Sequence, residues 1–163
     1  MGYREPKRLK TYVKGLDERI SGGIPEKQIV LVGGAHGTMK STFCFSILYN
    51  LAKEEKTKCA YLTLEQGRES LIKNMQSLGM DVNTVEENLY IFDIGEIRKI
   101  LAESGPAKTK MTWMDSILFH IEKLKEIENV EVVVLDSLNA LAEISSAEKP
   151  TRDIIFHFFE KFR

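Results

Sequence analysis

The sequence predicts an α/β domain with a mainly parallel sheet and helices on its faces. Short apolar, β-branched runs alternate with helical patterns from residue 28 onward. A glycine-rich segment, residues 33–42, joins the first such run to the first helix. Strands that alternate with helices pair in parallel through right-handed crossovers, and ligands of such sheets bind at the carboxyl ends of the strands. Polar residues that follow the strands are therefore the first candidates for a functional site.

Each strand and helix is predicted from its own pattern. The apolar runs at 28–32, 59–64, 89–94 and 130–136 predict buried strands, because they are short and rich in β-branched and aromatic residues. Helical patterns cover 41–52, 70–78, 96–103, 113–127 and 151–162. Gly79 ends the second helix, and Gly105 with Pro106 ends the third. A polar loop at 107–111 follows.

The last two predicted helices have clear apolar faces. In helix 113–127 one face carries Ile117, Ile121 and Leu124, with Leu118 beside them, which predicts packing on the sheet. Helix 151–162 begins near Pro150, and its wide apolar face consists of Ile154, Ile155, Phe158, Phe159 and Phe162. One side of that face can pack on the sheet within the monomer, and self-association is the alternative.

Length and composition fit one globular domain. The chain has 163 residues, of which 43% are hydrophobic and 29% charged, and its formal net charge is −1. That balance gives no global electrostatic argument for a nucleic-acid or membrane partner, and no apolar run approaches the length of a membrane span. Cys44 and Cys59 are most simply buried thiols and not a disulfide pair. We therefore expect an intracellular, cytoplasmic protein.

The N-terminus departs from this even charge balance. Residues 1–14 contain five basic residues and one acidic residue. We interpret residues 1–12 as a basic N-terminal arm and residues 13–163 as the main domain. A basic run this short is either a solvated tail or a contact for nucleic acid, and the sequence leaves both open.

Residues 33–42, here called the phosphate loop, follow a known pattern with one departure. The pattern G-x-x-x-x-G-K-[ST] is met by Gly34, Lys40 and Ser41, but Met39 stands where the second glycine is required. The residues that would contact a nucleotide phosphate are Gly34, Ala35, His36, Gly37, Thr38, Met39, Lys40, Ser41 and Thr42. An ordinary strand-to-helix turn with a chance Lys-Ser pair is the alternative.

The chemistry of such a loop explains why these residue types are needed. Successive backbone N–H groups form a concave nest around a phosphate, at the positive end of a helix. Lys40 would reach the β- and γ-phosphates, and Ser41 would place its hydroxyl on Mg²⁺. Glycine allows the backbone to approach phosphate closely. Met39 therefore predicts either a loop that opens slightly and binds more weakly, or a loop that is blocked.

Two carboxylates follow predicted strands on the same edge of the sheet. Asp136 ends an apolar strand, which is where a carboxylate that serves Mg²⁺ is found in proteins with a phosphate loop. A turn or cap residue is the alternative for Asp136. Glu65 follows the second predicted strand and has the position of a general base that polarises water. A solvated loop carboxylate is its alternative.

Several ordered motifs resemble one family. Residues 13–27 read VKGLDERISGGIPEK, which is similar to the opening of the KaiC-like branch of the RecA superfamily of P-loop ATPases. The resemblance continues through YLTLEQ at 61–66, RES at 68–70 and VVVLDSL at 132–138. It implies a RecA-type core that binds ATP with Mg²⁺ and assembles into rings or filaments with ATP at subunit interfaces. Members act in circadian timing, signal transduction or DNA recombination.

The resemblance also implies roles for individual residues. Lys40 and Ser41 would bind phosphate and Mg²⁺, Asp136 would serve the metal, and Glu65 would activate water. Gln66 stands where a second glutamate is common, and a glutamine can orient a water but cannot take its proton. Relative to the family, the chain ends in the helix after Asp136, before the strands that carry DNA-contacting loops. We therefore expect a C-terminally truncated or split form, or one that associates with itself or with a related subunit.

Three functions are compatible with these features. The first is a slow ATPase or an ATP-binding regulatory switch, with weak or no hydrolysis. The second is a non-catalytic relative that acts as a partner or scaffold, which Met39 and Gln66 favour. The third is a recombination mediator that binds DNA through the basic arm, which only family analogy favours.

Overall fold

The computed structural model describes residues 6–96, 113–140 and 159–160, and its core is a parallel sheet covered by helices. The elements before the sheet are β1 (Arg8–Leu9), α1 (Leu16–Arg19), β2 (Ile24–Pro25) and α2 (Lys40–Asn50). Those that follow are β3 (Cys59–Thr63), α3 (Arg68–Ser77), β4 (Leu89–Asp93), α4 (Trp113–Glu128) and β5 (Val132–Asp136). A π-helical turn, Leu51–Glu55, extends α2, and a 3-10 turn, Val82–Val85, precedes β4.

The three described strands of the sheet are parallel, in the order β4-β3-β5. Their register places Thr63, at the end of β3, opposite Asp93 on one side and Asp136 on the other. The strands predicted at 59–64, 89–94 and 130–136 are confirmed, and so are the helices beside them. Because the register is parallel, the carboxyl ends of all three strands meet at one edge of the sheet.

Two apolar clusters cover the two faces of the sheet. Successive side chains of a strand point to opposite faces, so Tyr61 joins the cluster beneath α2 while Ala60 and Leu62 join the cluster beneath α4. The predicted face of α4 is confirmed, since Ile117, Leu118 and Ile121 are buried there and Leu124 packs against them. Each buried side chain of this kind contributes about 1.5–3 kcal/mol of burial free energy. The clusters therefore fix the sheet and both helices as one unit.

The predicted strand at 28–32 is wrong. This segment pairs with no strand in the described part of the chain, and the exposed fractions of Ile29, Val30 and Leu31 are 42%, 54% and 79%. β-branched composition favours an extended backbone, but a strand also needs a hydrogen-bonded neighbour, which composition does not supply. The phosphate loop is thus preceded by an exposed apolar segment and followed by a buried helix.

Part of the expected basic arm is built into the fold. Arg8 donates from its guanidinium to the carbonyls of Ile20 and Gly23, at 3.1 and 3.0 Å. Gly23 allows β1 to approach closely, because a Cβ at this position would lie 2.2 Å from the carbonyl oxygen of Leu9. Thr11 is only 1% exposed. These contacts tie residues 8–11 to the turn before β2.

Asp17 holds the segment that follows β1. Its carboxylate accepts from Thr11 N at 2.9 Å, Thr11 Oγ1 at 2.7 Å and Tyr12 N at 3.2 Å. Burial opposes the charge, but these hydrogen bonds outweigh it and lower the pKa of Asp17. The negative charge of Asp17 therefore stabilises the folded conformation around Thr11 and Tyr12.

Some predictions lie wholly or mainly outside the described residues. They are the helix at 96–103, the loop at 107–111 and the helix at 151–162. From the last of these, Phe159 is described, and it packs against the cluster beneath α4. No helix in the described ranges is long and apolar enough to cross a membrane.

Candidate functional site

The phosphate loop is tight and mostly exposed. Thr38 Oγ1 and Lys40 Nζ both donate to the carbonyl oxygen of Ala35, at 2.8 and 2.9 Å. A Cβ at Gly34 would lie 2.8 Å from Thr38 Oγ1, so glycine is needed there for the close approach of the backbone. Gly37 has a φ of +79°, which favours glycine as well. Residues 33–39 are exposed, including His36, and helix α2 begins at Lys40.

Met39 has a backbone conformation that glycine adopts more easily. It precedes the first residue of α2 with φ 61° and ψ 28°, in the left-handed region. That region costs an L-residue with a Cβ roughly 1–2 kcal/mol. The side chain is 59% exposed. A glycine at this position of the pattern would therefore have two roles. It would adopt the left-handed turn into the helix without strain, and it would leave space for phosphate.

Hydrogen bonds join the ends of β3 and β5. Leu64 N donates to the carbonyl oxygen of Asp136 at 2.7 Å, which continues the strand pairing beyond Thr63. One residue further, the Ser137 hydroxyl donates to Glu65 Oε1. Ser137 Oγ also accepts from Ala140 N at 3.3 Å. Glu65 and Asp136 therefore lie at the same edge of the sheet, where the carboxyl ends of β3 and β5 meet, as the sequence predicts.

Tyr61 adds a contact that the sequence analysis missed. Its hydroxyl donates to Asp136 Oδ2 at 2.6 Å. Burial and, after it, the hydrogen bond to Asp136 raise the pKa of the Tyr61 phenol. The ring of Tyr61 lies against that of Phe45, so Tyr61 connects Asp136 to α2. We call Tyr61, Glu65, Asp136 and Ser137 the carboxylate edge.

Cys44 also lies near the carboxylate edge. Burial and, to a smaller extent, the charge of Asp136 raise the pKa of its thiol to about 11. Burial, with smaller effects of nearby carboxylates, raises the pKa of Cys59 to about 12. Both cysteines are free. They are neutral thiols at physiological pH.

The side chain of Gln66 bonds α3, and that of Glu65 bonds Ser137 after β5. Its Nε2 donates to Ser70 Oγ at 2.8 Å, on α3. Its backbone is fixed by Thr63, whose hydroxyl donates to the Gln66 carbonyl at 2.7 Å and accepts from its N–H at 3.2 Å. The structure thus brings Glu65, but not the side chain of Gln66, to Ser137.

Asp93, which ends β4, is a third carboxylate at the same sheet edge. It accepts from Arg68 N at 3.2 Å and from Glu96 N at 2.9 Å. These bonds satisfy backbone N–H groups near the starts of helical segments, which is a capping role. The sequence analysis did not identify Asp93, although its place at the end of a strand was a usable signal.

The oxygen atoms of Ser41 and Asp136 fit Mg²⁺. Hydroxyl and carboxylate oxygens are hard ligands, and Mg²⁺ is commonly held by one or two protein groups together with phosphates and water. The described residues contain no group of three or more His, Cys, Asp or Glu side chains that could hold a metal. A cation that is bound together with a nucleotide phosphate suits these two oxygens.

Comparisons with known proteins agree with this geometry. The family model described as "ATPase: KaiC" matches residues 9–163. The chain belongs to this family. A UPF0273 protein of Saccharolobus solfataricus is 43% identical over 132 residues, which are 80% of this chain and 44% of that protein. The circadian clock oscillator protein KaiC of Picosynechococcus is 26% identical over 161 residues, which are 96% of this chain and 30% of that protein.

A solved structure supports the same assignment. The crystal structure of a KaiC-like protein from the hyperthermophilic archaeon Pyrococcus horikoshii OT3 matches with a TM-score of 0.75 and 25% identity. The match covers 96% of this chain and 67% of that one. The predicted RecA-like α/β fold is confirmed. The chain spans less than half the length of both curated relatives, so their full activities do not transfer directly to this KaiC-family chain.

Proposed function

We propose that this chain binds ATP with Mg²⁺ at the phosphate loop and the carboxylate edge, and that it hydrolyses ATP slowly or not at all. The observation that carries the proposal is that α2, which begins at the end of the phosphate loop, packs in the same apolar cluster as β5, the strand that Asp136 ends. A phosphate loop followed by a strand-end carboxylate is the arrangement of Mg²⁺-dependent nucleotide sites. Membership of the KaiC family supports the choice of ATP.

The residues of the phosphate loop would bind the phosphates. The Lys40 ammonium bonds the Ala35 carbonyl, and its Nζ would exchange that neutral partner for a phosphate oxygen, which is a stronger, charge-assisted acceptor. Ser41 and Asp136 would hold Mg²⁺. The cation, when bound, neutralises charge on the phosphate oxygens.

Glu65 is the candidate to accept a proton from water. Its carboxylate is fixed by the Ser137 hydroxyl and is exposed to solvent. A general base must be placed within hydrogen-bond reach of the water that it activates, and Ser137 restricts where Glu65 can be. We propose slow turnover for two reasons. Met39 strains the turn into α2, and the Gln66 side chain is bound to Ser70 and gives Glu65 no assistance.

Calorimetric titration of the purified chain with ATP in excess Mg²⁺, followed by an assay of phosphate release, tests the proposal. We expect saturable binding with micromolar affinity and release that is slow or below detection. Binding of ATP only in the Met39→Gly variant would mean that this site is disabled in the natural chain. An absence of binding in both proteins would contradict the proposal.

A specific observation supports a second candidate function, that of a non-catalytic interaction partner. The apolar side chains of Ile29, Val30 and Leu31 are exposed next to the phosphate loop, and contiguous exposed apolar residues often mark protein contacts. Self-association stays a prediction, and light scattering with and without ATP would measure it. A cytoplasmic location also stays a prediction. DNA binding is not favoured by the described part of the basic arm, because Arg8 donates to carbonyls within the fold.

A further inference from the structure

The hydroxyl of Tyr61 is not required for packing. The side chain is 0% exposed, and its ring lies against that of Phe45 with the centroids 5.2 Å apart. A phenylalanine at this position would bury nearly the same ring and keep that contact. A buried hydroxyl also needs a polar partner, or its desolvation destabilises the fold. The reason for a tyrosine on this strand must therefore be sought in the partner of its hydroxyl.

That partner is the carboxylate that we assign to Mg²⁺. Tyr61 Oη and Asp136 Oδ2 are 2.6 Å apart, on the neighbouring strands β3 and β5. A carboxylate has two oxygens, so a donor on Oδ2 leaves Oδ1 available to accept from water or to bind a cation. The ring of Tyr61 is immobilised by the apolar cluster beneath α2. A fixed donor on one oxygen also fixes the rotation of the whole carboxylate.

Resting on the proposed function, we propose that Tyr61 is a positioning residue for Mg²⁺, which holds Asp136 so that its second oxygen stays available to a cation beside Ser41. Groups that orient metal ligands without touching the metal typically change metal affinity by about 10- to 100-fold when removed. The ring of Tyr61 lies against Phe45 of α2, and its hydroxyl bonds Asp136 of β5. Tyr61 therefore contacts both of the elements that supply the candidate ligands.

The chain contains a matched control for this proposal. Tyr90 Oη donates to Glu128 Oε2 at 2.8 Å, which is also a tyrosine–carboxylate pair on a strand of the same sheet. Tyr90 lies on β4 and joins the cluster beneath α4, on the opposite face from Tyr61 and the phosphate loop. Tyr90→Phe removes the same chemical group from the same kind of contact. It differs from Tyr61→Phe in its place on the opposite face of the sheet, and Tyr90 is half-buried where Tyr61 is buried.

The experiment measures how strongly Mg²⁺ and ATP binding are coupled. ATP is titrated calorimetrically into the wild-type chain, Tyr61→Phe and Tyr90→Phe, once in excess Mg²⁺ and once in EDTA. The quantity compared is the ratio of the ATP Kd in EDTA to the ATP Kd in Mg²⁺. We expect this ratio to fall by about 10-fold in Tyr61→Phe, with the Kd in EDTA unchanged. The ratio for Tyr90→Phe is expected to equal that of the wild type.

Each other outcome contradicts the proposal in a distinguishable way. Equal ratios for Tyr61→Phe and the wild type, or a wild-type ratio of one, would overturn the role of Tyr61 and leave ATP binding standing. A Tyr61→Phe variant that loses ATP affinity equally in EDTA and Mg²⁺, or that does not fold, would assign the hydroxyl a structural role alone. No ATP binding by the wild type would overturn the proposed function and this inference together.

A double-mutant cycle tests whether Tyr61 acts through Asp136. In the Asp136→Asn background the carboxylate that the hydroxyl orients has been replaced. Tyr61→Phe is then expected to change the EDTA-to-Mg²⁺ ratio no further, because coupled residues have non-additive effects. An additional loss of similar size in the Asp136→Asn background would show that Tyr61 acts independently, and would contradict the proposal.

Discussion

The carboxylate edge and the phosphate loop approach the candidate site from different elements, and different interactions hold them. The carboxylate edge comes from parallel strands, and its side chains bond one another across the sheet, Tyr61 to Asp136 and Ser137 to Glu65. Residues 33–39 of the phosphate loop are exposed, and two of the loop's side chains bond a single carbonyl, that of Ala35. Contacts between residues far apart in the sequence hold the carboxylate edge, whereas the bonds described for the phosphate loop join residues within the loop.

This difference predicts how substitutions in the two regions will behave. The carboxylate edge is already arranged before a ligand arrives, so changes there should alter metal dependence and turnover more than phosphate affinity. The phosphate loop exchanges an internal bond for a ligand, so changes there should alter affinity directly.

Glu65→Gln is expected to lower the rate of phosphate release by about 100-fold or more, because an amide cannot accept a proton as a general base does. ATP affinity should be unchanged, since Glu65 belongs to the carboxylate edge. Phosphate release and calorimetry measure the two quantities, and Glu69→Gln, an exposed change on α3, is the control. Equal rates in Glu65→Gln and the wild type would remove Glu65 from the proposed machinery. No release by the wild type would favour the non-catalytic function.

Lys40→Ala is expected to weaken ATP binding strongly. Removal of a charge-assisted hydrogen bond costs about 2–3 kcal/mol, which is roughly a 30- to 150-fold rise in Kd. The matched control is Lys73→Ala, an exposed lysine on α3. If Lys40→Ala retains the wild-type affinity, the nucleotide binds elsewhere on the chain, and the loop is not the phosphate site.

The sequence predicted features that depend on local patterns and missed features that depend on contacts between distant residues. Helix α2, helix α4 and strand β3 were predicted because their patterns are local. The bond from Tyr61 to Asp136 joins residues 75 positions apart, so no local pattern contains it. The segment 28–32 was predicted as a strand from composition, but pairing depends on a neighbour that composition does not specify.

Site residues show the same limit. Glu65 and Asp136 were placed together correctly, because parallel strands bring their carboxyl ends to one edge. Gln66 follows Glu65 directly, yet its side chain bonds Ser70 on α3. Only the backbone direction after β3 determines which of two adjacent side chains faces the site. That direction is set by the bonds between Thr63 and Gln66, which a motif does not encode.

Met39→Gly tests the loop without touching the carboxylate edge. The left-handed backbone at residue 39 costs methionine roughly 1–2 kcal/mol, and glycine adopts it freely, although glycine loses somewhat more entropy on folding. Because Met39 already has this backbone conformation in the structure, relief of its strain should raise the melting temperature slightly. We also expect tighter ATP binding, by about fivefold for 1 kcal/mol, because removal of the side chain leaves more space for phosphate. Ser21→Gly, which relieves a positive φ of 59° before β2, is the control for stability without binding. Unchanged or weaker ATP affinity in Met39→Gly would contradict our account of the methionine.

Asp17, which holds the segment after β1, gives the smallest expected effect. Asp17→Asn keeps the size of the side chain but removes the charge that Thr11 and Tyr12 stabilise, which should cost about 1 kcal/mol, or about 2–4 °C in melting temperature. Because hydrogen bonding lowers the pKa of Asp17 in the folded state, its contribution is present above the ordinary pKa of 3.8 and is lost as the pH falls through the folded value. The melting temperatures of the wild type and Asp17→Asn should therefore differ at pH 7 and become equal in strong acid. The control is Glu18→Gln, an exposed neighbour on α1, whose melting temperature should equal that of the wild type at both pH values. If the two melting curves differ equally at both pH values, the packing of residue 17, and not its charge, anchors the segment that leads toward the phosphate loop.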